Sequence, residues 1–264
     1  MGNCCDCLNA KQDGEVPTAK TPLISAGSQP SHQATATNAG FPAQSARQNK
    51  PPGQKNELTS SLDALSTITL ATISTVPSLD KTFQDHAKLY NDLYSTFVDL
   101  RKCLHDFKAK FEADTAGIPI IAECLKLLAA RCGSTRLSGS MTKNCIQITY
   151  DKRDVSEKCL GPAEDVLETL ELYNKANNLI RNILAKSPQV QTSIKLILDE
   201  EQKLKREVTK ADPDGKLGPE PLRKATENFS KLHKLPVFIE TIQKYTNKTF
   251  KEIANGSRIL FENT

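Results

Sequence analysis

Leu79, Phe83, His86, Tyr90, Leu93, Phe97, Leu100, Leu104, Phe107 and Phe111 follow one another in alternating steps of four and three, over 33 residues without a break. Only an α-helix gathers such a series on one stripe, because a strand would send neighbours at odd spacing to opposite faces. At 1.5 Å per residue this helix would be ~50 Å long. A compact domain built from 57–264 would be only ~43 Å across. The series therefore predicts an elongated helical bundle.

Further heptad tracks follow. Val166, Leu170, Tyr173, Asn177, Ile180 and Leu184 make one, opened by Pro162 in the first turn and expected to close before Pro188. Val190, Ile194, Ile197, Glu201, Leu204 and Val208 make the next, and Asn177 and Glu201 read as register-setting polar positions or drift of the stripe. After the turn Asp212-Pro213-Asp214-Gly215, one helix is expected over 220–234. Another should start at Pro236 and run through Ile239, Ile242, Tyr245, Phe250 and Ile253. Residues 118–132 read as a short apolar helix. Within 133–160, Ile146, Ile148 and Tyr150 alternate as in a strand, yet no partner strand is evident, so loop and helix are expected. The fold class is all-α: an elongated bundle of five to seven helices over 57–264, preceded by a disordered, acylated N-terminal tail.

That tail divides in two. Residues 8–56 are rich in Ala, Gln, Ser, Thr, Pro and Gly, with few large apolar side chains beyond Leu8, Val16, Leu23, Ile24 and Phe41. Such a stretch cannot bury enough surface to offset its ordering entropy, so it reads as a disordered linker. As a flexible leash it would span ~35–42 Å root-mean-square.

Residues 1–7 read Met1-Gly2-Asn3-Cys4-Cys5-Asp6-Cys7. Removal of Met1 would expose the Gly2 amine for N-myristoylation, and Cys4, Cys5 and Cys7 would then be placed for S-palmitoylation. Over these seven residues the segment resembles the dual-acylation termini of Src-family kinases and Gα subunits, departing from the usual pattern at Asp6, where Ser or Thr is common. The resemblance implies two-signal anchoring. One myristoyl chain binds a bilayer with K on the order of 10⁴ M⁻¹, and each further buried CH₂ adds ~0.8 kcal/mol.

The remaining cysteines, Cys103, Cys124, Cys132, Cys145 and Cys159, form no C-x-x-C pair, so neither a metal nor a cofactor is expected. On the cytosolic face of a membrane they would be reduced thiols, and the sequons at Asn228, Asn247 and Asn255 would carry no glycan. No apolar h-region and no membrane-spanning run is read. The uncharged stretch 64–79 is too short and too hydroxyl-rich to cross ~30 Å of hydrocarbon.

Charge argues against another class. With 35 Lys and Arg against 31 Asp and Glu, no Trp and 5% aromatics, the chain is not expected to be a general nucleic-acid binder. Enzyme chemistry is not expected either, since four His match no nucleophile spacing and no phosphate-binding or hydrolase motif occurs. Lys210 to Leu217 imitates the middle of a calcium loop at Asp212, Asp214 and Gly215. Lys210 at position 1 and Pro221 at position 12 deny calcium its main ligands.

Residues 58–76 place Leu58, Leu62, Leu65, Ile68, Leu70, Ile73 and Val76 against a side of hydroxyls. They read either as a lipid-packing-sensor helix or as a first bundle helix. The expected function is a lipid-anchored helical adaptor or scaffold on the cytosolic face of the plasma membrane or an endomembrane. It would bind membrane through its acyl chains and protein partners through its helical faces. The alternative is a membrane-active bundle that tethers, remodels or permeabilises bilayers.

Overall fold

The computed structural model describes residues 62–213, 216 and 218–262. The heptad series forms α1 (Pro77–Ala109), with Pro77 in the first turn and Asp80 facing the amino end of the helix dipole. Leu79, Phe83, Tyr90, Leu93, Phe97, Leu100, Leu104, Phe107 and Phe111 are all buried, Phe111 in the turn just past the helix. His86 alone on this stripe is half-buried.

The other helices are α2 (Ile121–Cys132), α3 (Lys152–Lys158), α4 (Ala163–Asp199), α5 (Glu201–Lys210), α6 (Glu220–Leu232) and α7 (Leu235–Glu262). The bundle is all-α apart from one small hairpin. Its frame is set by α1 against α4, α2 against α7, and α4 against α7. Gly256 lets α7 approach α2, since a Cβ there would lie 2.7 Å from Leu125 Cδ1.

Three stretches differ from the sequence reading. The first is α4, which does not close before Pro188 but runs through it for 37 residues, about 55 Å. An interior proline costs ~3 kcal/mol, since it removes a ladder hydrogen bond and crowds the preceding turn. Burial of Ile183, Val190 and Ile194 on either side offsets this at ~1.5–3 kcal/mol each. The Ser187 hydroxyl also donates to the Ile183 carbonyl at 2.6 Å in the same turn. The real break comes at Glu200, so Glu201 opens α5 instead of sitting within a seam.

The second is 133–160, which holds an antiparallel hairpin, β1 (Leu137–Thr142) and β2 (Cys145–Tyr150), besides α3. Thr142 pairs with Cys145 across the two-residue turn Lys143-Asn144, and Asn144 adopts φ 60°, a conformation Asn tolerates. The partner strand escaped reading because β1, Leu-Ser-Gly-Ser-Met-Thr, buries only Leu137.

The third is the segment before α1. Residues 62–63 are helical, but 65–73 form neither helix nor strand, so the expected helix over 58–76 is overturned where it is described. Ser66, Thr67, Thr69 and Thr72 are weak helix formers whose hydroxyls compete for the backbone. Leu65, Leu70 and Ile73 are buried in the core instead of facing outward as a lipid-sensing side. Leu58 lies outside the described residues. No described helix is long and apolar enough to cross a membrane.

Candidate functional site

The irregular segment 65–73 is a strap, and side chains of α1 and α6 hold its backbone almost residue by residue. Tyr94 and Tyr90 donate their hydroxyls to the carbonyls of Leu65 and Ser66 at 3.1 and 3.0 Å. Asn91 accepts from the Ile68 amide and donates to the Ile68 carbonyl, both at 2.9 Å. Asn228 does the same for Ala71, at 2.7 and 2.8 Å. Lys231 Nζ donates to the Thr69 carbonyl at 2.9 Å, and Asp80 accepts from the Ile73 amide at 2.9 Å.

Along α1 these anchors descend from Tyr94 to Asp80 while the strap ascends from 65 to 73. The strap is therefore antiparallel to the helix. Fourteen helical steps cover ~21 Å, which eight strap steps match at ~2.6 Å each, well above a helical rise and about three quarters of full extension.

The arrangement is a peptide cradle. An amide side chain presents one acceptor and one donor at the separation of a backbone N–H and C=O, so each Asn replaces the neighbouring strand that the strap lacks. Burial, and the neighbouring Tyr94, push the Tyr90 phenol far up, which keeps it protonated as a donor. Burial of Asn228 also leaves no room for a glycan at that sequon.

The same device holds the hairpin on α4. Asn174 binds the amide and carbonyl of Ile148, both at 2.8 Å, and buried Asn177 accepts from the Ile146 amide at 3.2 Å. Asn177, read from the sequence as a register-setting polar position, sets the register of a strand against a helix. Asn91, Asn174 and Asn228 were missed. Their only signal is Asn, a poor helix former, within otherwise strong helical stretches.

The structure does not bring the other candidates together into a reactive centre. His86 lies beside the Thr82 carbonyl through Nδ1 (2.7 Å) and the Ser193 hydroxyl through Nε2 (3.1 Å), an exchange that satisfies a half-buried imidazole between α1 and α4. Cys103, Cys124, Cys132 and Cys145 are buried thiols, and Cys159 is half-buried. Burial pushes Cys132 up to about 11, with Cys159 adding to the rise, so it is not a thiolate at neutral pH. No cluster of His, Cys, Asp or Glu able to hold a metal occurs among the described residues. The Asp212 carboxylate accepts from the Lys216 amide at 3.0 Å, as in an ordinary turn, while Asp214, Gly215 and Leu217 lie outside the described residues.

The expected acylation residues Gly2, Cys4, Cys5 and Cys7 also lie outside the described residues, as does the linker 8–56. Comparison with protein-family models, with curated proteins and with solved structures found no match in any of the three.

Proposed function

We propose that this protein is a lipid-anchored helical adaptor. In this reading Gly2 carries the weak first acyl signal, and Cys4, Cys5 and Cys7 carry the second. The observation that carries the reading is the heptapeptide Met1-Gly2-Asn3-Cys4-Cys5-Asp6-Cys7. The cradle adds mechanical sense. A chain tethered at its amino end must transmit tension to its folded part, and a strap gripped by Tyr90, Tyr94, Asn91 and Asn228 would receive it on α1 and α6.

The second reading is a membrane-active bundle that tethers, remodels or permeabilises bilayers. The segment read as a lipid-packing sensor does not add to that reading, since Leu65, Leu70 and Ile73 are buried in the core. The adaptor acts by recruitment and needs no reaction centre. Its partners would be proteins docking on helical faces at the cytosolic side of a membrane.

Proximity labelling of the intact protein against Gly2→Ala tests this directly. Membrane-associated proteins should dominate the labelled set of the intact chain and drop out of the Gly2→Ala set. Identical sets would refute recruitment by the anchor. Vesicle leakage caused by the intact acylated protein would favour the membrane-active reading instead.

A further inference from the structure

The carboxyl half of α1 carries Arg101, His105 and Lys108 at positions i, i+4 and i+7, one stripe of the helix. All three line a single surface cavity of about 330 Å³, whose lining also includes Tyr245 of α7 and buried Leu104. That volume lies at the lower end of the range for small-molecule sites.

Neither Arg101 nor Lys108 has an ion-pair partner among the described residues, whereas Lys110 and Arg131 nearby do. Lys110 is engaged by Asp165 and Glu168 at 3.0 and 2.6 Å, and Arg131 by Asp114 and Asp165 at 2.6 and 3.1 Å. The carboxylate lining the cavity is that of Glu112, one turn beyond Lys108 in sequence. Lys108 also opposes the carbonyl end of the helix dipole, but Arg101 lies two turns back, beyond that effect.

We propose that this cavity binds a ligand bearing several phosphate groups, with Arg101 and Lys108 as its principal contacts and His105 and Tyr245 beside them in the lining. The stripe from Arg101 to Lys108 extends ~10 Å along the helix. A single carboxylate or phosphate would reach only part of it, while a polyol phosphorylated at separate positions would reach both ends. A guanidinium fork and an ammonium point charge are the two side chains best matched to phosphate oxygens. The ligand's source is a phosphorylated lipid headgroup or the corresponding free solute. The first would add a lipid-selective contact to the acyl anchor, since basic pockets recognise such headgroups.

The test uses the full chain prepared without acylation, so that it is independent of the anchoring residues. Inositol trisphosphate is titrated by calorimetry, and flotation is measured with phosphatidylcholine vesicles with and without phosphatidylinositol bisphosphate. Saturable binding is expected. Arg101→Gln and Lys108→Gln should each weaken it about tenfold, and Glu112→Gln should tighten it. These are surface or half-buried positions, so melting temperatures should stay near wild type and separate a ligand role from a structural one.

Flotation with the phosphorylated vesicles, ranked identically across the variants, assigns a headgroup. Solute binding without flotation assigns a free polyphosphate. Absence of saturable binding in both arms, or binding indifferent to all three substitutions, overturns the site.

Discussion

Asn228 of α6 grips Ala71 at both polar groups, its Oδ1 2.7 Å from the amide nitrogen and its Nδ2 2.8 Å from the carbonyl oxygen. The pair joins residues 157 apart in sequence, and Asn228 is fully buried. Asn228→Ala should therefore destabilise the fold by about 2–4 kcal/mol, mostly through the polar groups of Ala71 left without partners. Hydrogen exchange should locate the damage, with protection lost at Ile68, Ala71 and Ile73 before it falls in α4. Uniform loss across all helices would mean that the strap is not a distinct unit.

The hairpin offers a parallel case. Asn174→Ala removes both bonds to Ile148, and the expected cost is about 1–3 kcal/mol. The Ile148 amide should then exchange faster, while amides within the β1–β2 ladder keep much of their protection. Unchanged exchange at Ile148 would contradict the role assigned to Asn174.

Phe97 is 1% exposed and meets Tyr245 edge to face, with ring centroids 5.3 Å apart. Phe97→Ala should cost about 3–5 kcal/mol from lost burial and the cavity left between α1 and α7. Chemical denaturation measures this. A variant as stable as wild type would mean that the stripe is not the centre of the core.

These three sites show what could be read from the sequence and what could not. The stripe through Phe97 was legible because helix periodicity and burial agree at each of its large apolar positions. The strap and the hairpin were not, because their backbone is satisfied by side chains of helices remote in sequence. Nothing local announces such a bond, and Ile68 or Ile148 reads the same whether its amide faces a strand or an asparagine. Pro188 misled for a related reason: local cost predicts a helix end, while core burial on both sides of the proline decides otherwise. The candidate anchor residues are contiguous in sequence and so form a motif, whereas the cradle residues are brought together only by the fold.

Glu201 gives a pH dependence. Burial raises its pKa, but hydrogen bonds from Lys205 at 2.5 Å and His233 at 2.7 Å, with their charges, outweigh that and hold the carboxyl below its ordinary value of 4.5. A lowered folded-state pKa contributes stability that is complete above the unfolded value and fades as pH falls through the folded one. The melting-temperature gap between wild type and Glu201→Gln should be full at neutral pH, shrink below about 4.5 and close under the folded pKa. A gap independent of pH would show that the carboxylate charge is not what Glu201 contributes.

If residence at a membrane is set by Gly2 and the cysteines beside it, fractionation of cells expressing wild type, Gly2→Ala and Cys4/Cys5/Cys7→Ser will show it. Wild type should sit in the membrane pellet and be released by hydroxylamine, which cleaves thioesters. Gly2→Ala should be soluble, because palmitate is added only after transient myristoyl contact, and the triple Ser variant should partition weakly between fractions. Gly2→Ala remaining fully in the pellet would rule out the amino-terminal anchor and transfer membrane binding to the helical domain itself.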